Sequence, residues 1–127
     1  MMKLTQVRGN TWVIEAMALI PFYKLDSRRV ILLDTGLRRV LISMGGDGIF
    51  AADHNARCHV PCYPGTMMNT TGCGDASMAA VAWAYLEGTD LEGTTRAALA
   101  AGAVAMESAE TINPAMSAEA LRERMGR

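Results

Sequence analysis

Apolar and polar positions alternate irregularly over the first 25 residues, and no period is clear there. The pattern sharpens afterwards. Asp26 is placed to cap a helix starting at Ser27, which would turn Val30, Ile31, Leu32 and Leu33 inward and end at Gly36. Arg38-Arg39 precede the short apolar run Val40-Leu41-Ile42, which predicts a buried strand. Ser43-Met44-Gly45-Gly46-Asp47-Gly48 predicts a turn, because its glycines reach backbone conformations closed to other residues. Ile49-Phe50-Ala51-Ala52 predicts a return strand, and His59-Val60-Pro61-Cys62 a short edge strand, its proline unable to donate to a ladder.

The second half is helical. Ala76, Ala79, Ala80, Ala82, Trp83 and Leu86 recur with helical spacing up to Gly88. A second helix is expected over residues 91–108, so rich in alanine and glycine that neighbours can approach it on most sides. Asn113-Pro114 interrupts the pattern, and Ser117 caps a last helix running to about Met125. Two or three strands among several helices describe part of an α/β sandwich, since a complete sheet usually has about 4–6 strands.

Composition narrows the class. The chain has 127 residues, half of them apolar, which suits one packed domain. Lys plus Arg total 12 against 13 Asp plus Glu, a balance that argues against a nucleic-acid binder or a polybasic membrane patch. The most apolar N-terminal stretch, residues 11–22, holds Glu15 and is shorter than a membrane span of about 20 residues. The same interruption weakens a signal-peptide reading, so a cytoplasmic location is expected. Three cysteines are too few and too sparse for a disulfide scaffold. Cys58 and Cys62 could join His54 and His59 as a zinc set only without the usual second ligand pair. The ten methionines read as core filler.

The strongest chemical signal is Thr70-Thr71-Gly72-Cys73-Gly74-Asp75-Ala76-Ser77, two glycines around a small residue at the start of a helix. Such a turn aims backbone N–H groups at one point, where the helix dipole also favours an anion such as phosphate. Asp75 beside that anion is suited to take a proton from an attacking hydroxyl. Ordinary helix-start chemistry explains the same residues, because Asp in a first turn and Gly before a helix are both common. Cys73 lies where a thiol pKa is often lowered, but only His54 and His59 could serve it as a base. The Ser43–Gly48 turn is a second glycine loop at a strand end, readable as a ligand loop or as a plain hairpin. Neither loop is a P-loop or a dinucleotide fingerprint.

Together these motifs resemble the PfkB/ribokinase family of carbohydrate and nucleoside kinases. Thr70-Thr71-Gly72-Cys73-Gly74-Asp75 is similar to the family's C-terminal signature, and Val40-Leu41-Ile42-Ser43-Met44-Gly45-Gly46-Asp47-Gly48 to the strand and glycine turn before it. Asn69 and Thr111-Ile112-Asn113-Pro114 resemble the pseudouridine kinase branch. The resemblance implies a ribokinase-like three-layer α/β/α sandwich with an incomplete sheet. It implies ATP-dependent phosphorylation of a sugar or nucleoside hydroxyl, with Mg²⁺ accompanying ATP. It implies that Asp75 is the catalytic base and that Gly72, Cys73 and Gly74 form the anion hole. Ser43, Gly45 and Gly48 would lie along ATP, and Asn113 near its adenine end. Asn69 and Thr71 occupy the places of a monovalent-cation site, with Asn69 standing where Asp is more common, so the need for K⁺ stays open.

The resemblance runs from about Arg38 to Gly126, and the expected division is an unmatched segment 1–25 followed by the C-terminal part of a kinase domain, 26–127. Family members are more than twice this long, and their N-terminal part carries the sugar-binding residues. The expected partners beyond substrates are therefore a second copy of the chain or a complementary N-terminal chain. A non-catalytic nucleotide-binding or interaction module derived from such a kinase is the alternative.

Overall fold

The computed structural model describes residues 3–8, 11–15, 19–24, 30–32 and 38–126. The chain forms two compact units, residues 1–37 and 38–127.

The first unit is a four-stranded antiparallel meander in sequence order: β1 (Lys3–Arg8), β2 (Thr11–Glu15), β3 (Leu19–Lys24) and β4 (Val30–Leu32). Residues 30–32, expected in a helix, are instead a strand that pairs Val30, Ile31 and Leu32 with Lys24, Tyr23 and Phe22. β-branched residues such as Val30 and Ile31 suit a pleated ladder better than a helix, and pairing with β3 decides the state of residues 30–32. The remaining residues of that expected helix lie outside the described ones. Pro21 sits opposite Val13 in the β2–β3 ladder.

The second unit is a partial α/β fold. β5 (Arg39–Ser43), β6 (Ile49–Asp53) and β7 (Arg57–Val60) form an antiparallel sheet with β6 in the centre. β7 ends where Pro61 begins, as an edge strand should. Three helices follow: α1 (Cys73–Leu86), α2 (Leu91–Met106) and α3 (Ala118–Arg124). Gly88 takes a left-handed φ of 70° after α1, and Asp90 caps α2 by accepting from the Gly93 N–H at 2.7 Å. Ser117 caps α3 through the Ala120 N–H at 3.1 Å.

α2 is the core of this unit. Most of its residues are buried, from Leu91 to Ala105, between α1 and α3 on one side and β6 and β7 on the other. Small side chains permit that closeness. Ser77 of α1 donates to the Ala98 carbonyl at 2.9 Å, and a Cβ at Gly102 would stand 3.1 Å from the Ser77 hydroxyl. Ala80, Ala84, Ala97, Ala100, Ala101 and Leu121 form one apolar cluster; Ile49, Val60, Ala98 and Leu99 form another, and Tyr63 packs against both. Thr94, fully buried, donates to the Asp90 carbonyl at 2.8 Å and accepts from the Arg39 guanidinium at 2.7 Å, which ties β5 to α2.

Three expectations change here. β5 is half-buried, not buried, because among the described residues it pairs with β6 alone and α2 crosses β6 and β7. Leu86 is 84% exposed, since α1 meets α2 through Ala80 and Ala84 and turns Leu86 away. Met44, Met67, Met68 and Met78 are exposed and so are not core filler. Among the described residues no helix is long and apolar enough to cross a membrane.

Candidate functional site

The turn before α1 is held by its own backbone and by a distant loop. Gly72 has φ +85°, the left-handed region open to glycine at little cost. A Cβ there would stand 2.6 Å from the Thr111 carbonyl oxygen, so a side chain is excluded by strain and by space together. The Gly72 carbonyl accepts from the Ala76 N–H at 2.9 Å and starts the helical ladder. The Cys73 N–H reaches back to the Thr70 carbonyl at 3.3 Å.

Among the described residues, the backbone N–H groups of Gly72, Gly74 and Asp75 have no acceptor. A helix start leaves such donors unpaired, and a dipole with its positive end here adds to them. Gly74 is exposed, and a Cβ on it would meet nothing within 4 Å, so the approach to these donors is open. Asp75 is also exposed and has no hydrogen-bond or ion-pair partner among the described residues. The arrangement offers N–H donors for an anion and a free carboxylate beside them.

Cys73 is half-buried at the first position of α1. Burial pushes its pKa above the ordinary thiol range, only partly offset by its own backbone N–H. Its Sγ lies 3.9 Å from the Asn69 carbonyl oxygen.

Asn69 links the turn to residues 106–113. Its Oδ1 accepts from the Thr71 N–H at 2.9 Å, while its Nδ2 donates to the Ala109 carbonyl at 3.1 Å. The Met68 and Asn69 N–H groups both reach the Met106 carbonyl, at 2.8 and 3.3 Å. Asn113 is spent in a similar way: Nδ2 donates to the Val104 carbonyl at 2.6 Å and Oδ1 accepts from the Ala115 N–H at 2.9 Å. Asn113 therefore fixes the exit of α2, and its carboxamide is already paired. Arg124 closes the far side, donating to the Pro64 carbonyl at 2.8 Å and pairing with Glu107 at 2.5 Å.

The β5–β6 turn is separately braced. Gly45 has φ +59° and Gly48 φ +93°, and a Cβ on Gly48 would overlap the Val60 carbonyl at 2.1 Å. Ser43 is exposed at the end of β5. His59 donates from Nε2 to the Asp47 carbonyl at 2.7 Å, and the Cys62 thiol donates to the Gly45 carbonyl at 3.1 Å. Those two residues clamp the glycine turn, and the Cys58 thiol instead lies 3.7 Å from the Thr95 hydroxyl. Among the described residues no three His, Cys, Asp or Glu side chains gather as a metal set, so the zinc grouping is not formed.

The structure thus brings Asn69, Thr71, Gly72, Cys73, Gly74 and Asp75 into one turn with its wall at residues 106–113. That wall, Met106, Ala109 and Thr111, contributes through carbonyl oxygens, which residue type does not reveal. Only the Asn113-Pro114 break signalled that a loop of defined shape follows α2.

An antiparallel three-stranded sheet backed by an alanine-rich helix, with a glycine turn opening the next helix, defines part of a ribokinase-like α/β fold. The chain belongs to the pfkB family of carbohydrate kinases, whose model matches residues 26–118. It is 34% identical over 83 residues to the pseudouridine kinase of Escherichia coli K12, a match covering 65% of this chain and 26% of that protein. The phosphofructokinase-2 of E. coli, solved in complex with potassium, superposes with a TM-score of 0.63 at 26% identity, covering 70% of this chain and 28% of that one. A nucleoside kinase of Methanocaldococcus jannaschii, an archaeal member of the ribokinase family, shares the fold with a TM-score of 0.66 at 21% identity, over 70% of this chain and 30% of that one. The chain therefore spans about a quarter of the length of the curated relatives it matches.

Proposed function

We propose that this chain carries the ATP side and the catalytic base of a kinase that phosphorylates a sugar or nucleoside hydroxyl, with pseudouridine as the first acceptor to try. The observation that supports this reading is the exposed Asp75 carboxylate beside three N–H groups in the turn that opens α1, all without a partner among the described residues. Asp75 takes the proton of the acceptor hydroxyl as that oxygen attacks the γ-phosphorus, and the bond from phosphorus to ADP breaks. The N–H groups of Gly72, Cys73 and Gly74 neutralise charge on the transferring phosphoryl group. The Cys73 N–H contributes once its long bond to Thr70 yields. Ser43, Gly45 and Gly48 border the nucleotide, and the loop that Asn113 shapes borders its base. Mg²⁺ travels with ATP as the counter-ion of its phosphates. The family also raises K⁺ at Asn69 and Thr71.

The match to E. coli pseudouridine kinase supports a nucleoside acceptor, and a second copy of the chain or a complementary N-terminal chain is the proposed partner. The test is titration calorimetry of MgATP and MgADP on the full chain and on Asp75→Asn, followed by turnover with pseudouridine. Equal nucleotide binding with turnover lost in Asp75→Asn supports the kinase. Binding with no turnover in either chain supports a non-catalytic nucleotide module. No binding by the folded chain overturns both.

A further inference from the structure

We infer that Asn69 makes the 69–74 turn independent of a monovalent cation, its carboxamide nitrogen doing the work a cation would do there. The inference rests on the kinase reading of this turn, but its evidence is the geometry around one side chain. The carboxamide has a single workable orientation. Oδ1 meets the Thr71 N–H at 2.9 Å and Nδ2 meets the Ala109 carbonyl at 3.1 Å. Exchanging the two atoms would set donor against donor at Thr71 and acceptor against acceptor at Ala109.

A carboxylate in this place would still accept from Thr71. Its second oxygen would then face the Ala109 carbonyl, with two acceptors about 3 Å apart and no proton between them. A cation bridging those oxygens would relieve that conflict, and it would also offset a negative charge placed next to an anion site. Asn69 meets the same carbonyl with an N–H and brings no charge. Nδ2 is committed as a donor to Ala109, and Oδ1, which already accepts from Thr71, carries no formal charge to demand a counter-ion. The chemistry of Asn69 therefore does not call for K⁺.

Asn69 is a positioning residue on this account. It zips the turn to residues 106–109, alongside the Met68 and Asn69 N–H groups on Met106.

The experiment compares thermal melts of the full chain and of Asn69→Asp in potassium chloride and in choline chloride at equal ionic strength. The unaltered chain melts at the same temperature in both salts. Asn69→Asp melts about 5 °C lower in choline chloride, as loss of roughly 1 kcal/mol would give, and recovers in potassium chloride. A potassium-specific rise in the unaltered chain overturns the inference. So does an Asn69→Asp chain that ignores the cation. Should that variant not fold in either salt, the affinity of the unaltered chain for MgADP decides: equal values in the two salts support the inference, and tighter binding in potassium overturns it. The melts need no turnover, so they stand or fall apart from the kinase reading; absence of MgADP binding in both salts counts against that reading.

Discussion

The carbonyl oxygen of Thr111 lies 2.6 Å from where a Cβ on Gly72 would stand, and Gly72 has a left-handed backbone. Gly72→Ala therefore incurs both backbone strain and a clash with main chain that cannot rotate away. We expect a loss of about 2 kcal/mol of stability, read by urea denaturation, together with weaker MgATP binding by calorimetry. Unchanged stability would mean that the 106–113 loop moves freely away from the turn.

Gly74 gives the opposite outcome. A Cβ there meets nothing within 4 Å, and its backbone is not left-handed. Gly74→Ala should hold stability or raise it by up to about 1 kcal/mol, from helix propensity alone. Nucleotide affinity should nonetheless fall, because the added methyl stands where an anion would approach the N–H groups. A stable variant with full affinity would place the phosphate elsewhere.

The contact between α1 and α2 depends on small residues. Gly102→Leu forces a branched side chain against the Ser77 hydroxyl, already 3.1 Å from a bare Cβ. Overpacking of this kind costs about 1–3 kcal/mol. Ser77→Ala, which gives up only the bond to Ala98, should cost about 1 kcal/mol or less. Denaturant midpoints of the two variants, measured side by side, check the order.

Asp53 gives a pH signature. Hydrogen bonds from the Asn55 and Ala56 N–H groups hold its carboxyl below the usual range, with Arg39 adding to the effect. A depressed folded-state pKa contributes stability that is complete above the unfolded value, near pH 4, and is lost as pH falls through the folded value. Replacement by Ala removes that contribution. The melting temperatures of Asp53→Ala and the unaltered chain should differ at pH 7 and converge toward pH 2. A gap that stays constant with pH would show that the carboxylate's charge plays no part.

The second unit was legible in the sequence because its signals are local. Glycines marked both turns, Ser117 capped a helix where expected, and Pro61 ended an edge strand. The first unit was not, because its ladder joins residues such as Phe22 and Leu32, whose pairing no local period announces. The glycine turn of the candidate site was visible for the same reason that the cap was. Its wall was not, because Ala109 and Thr111 act through carbonyl oxygens that every residue possesses. His59 and Cys62 are residue types that can ligate zinc, but the sequence lacks the usual second ligand pair, and in the structure their partners are the carbonyls of Asp47 and Gly45.

The bond between Asn69 and Ala109 joins residues 40 positions apart, whereas α1 and α2 are near neighbours in the chain. Local contacts form early and distant ones late, since loop closure must come first. On a ribosome, the helical hairpin can therefore assemble while the turn that opens it still lacks its wall. A nascent chain therefore lacks the wall of this turn until residues 106–113 have left the ribosome.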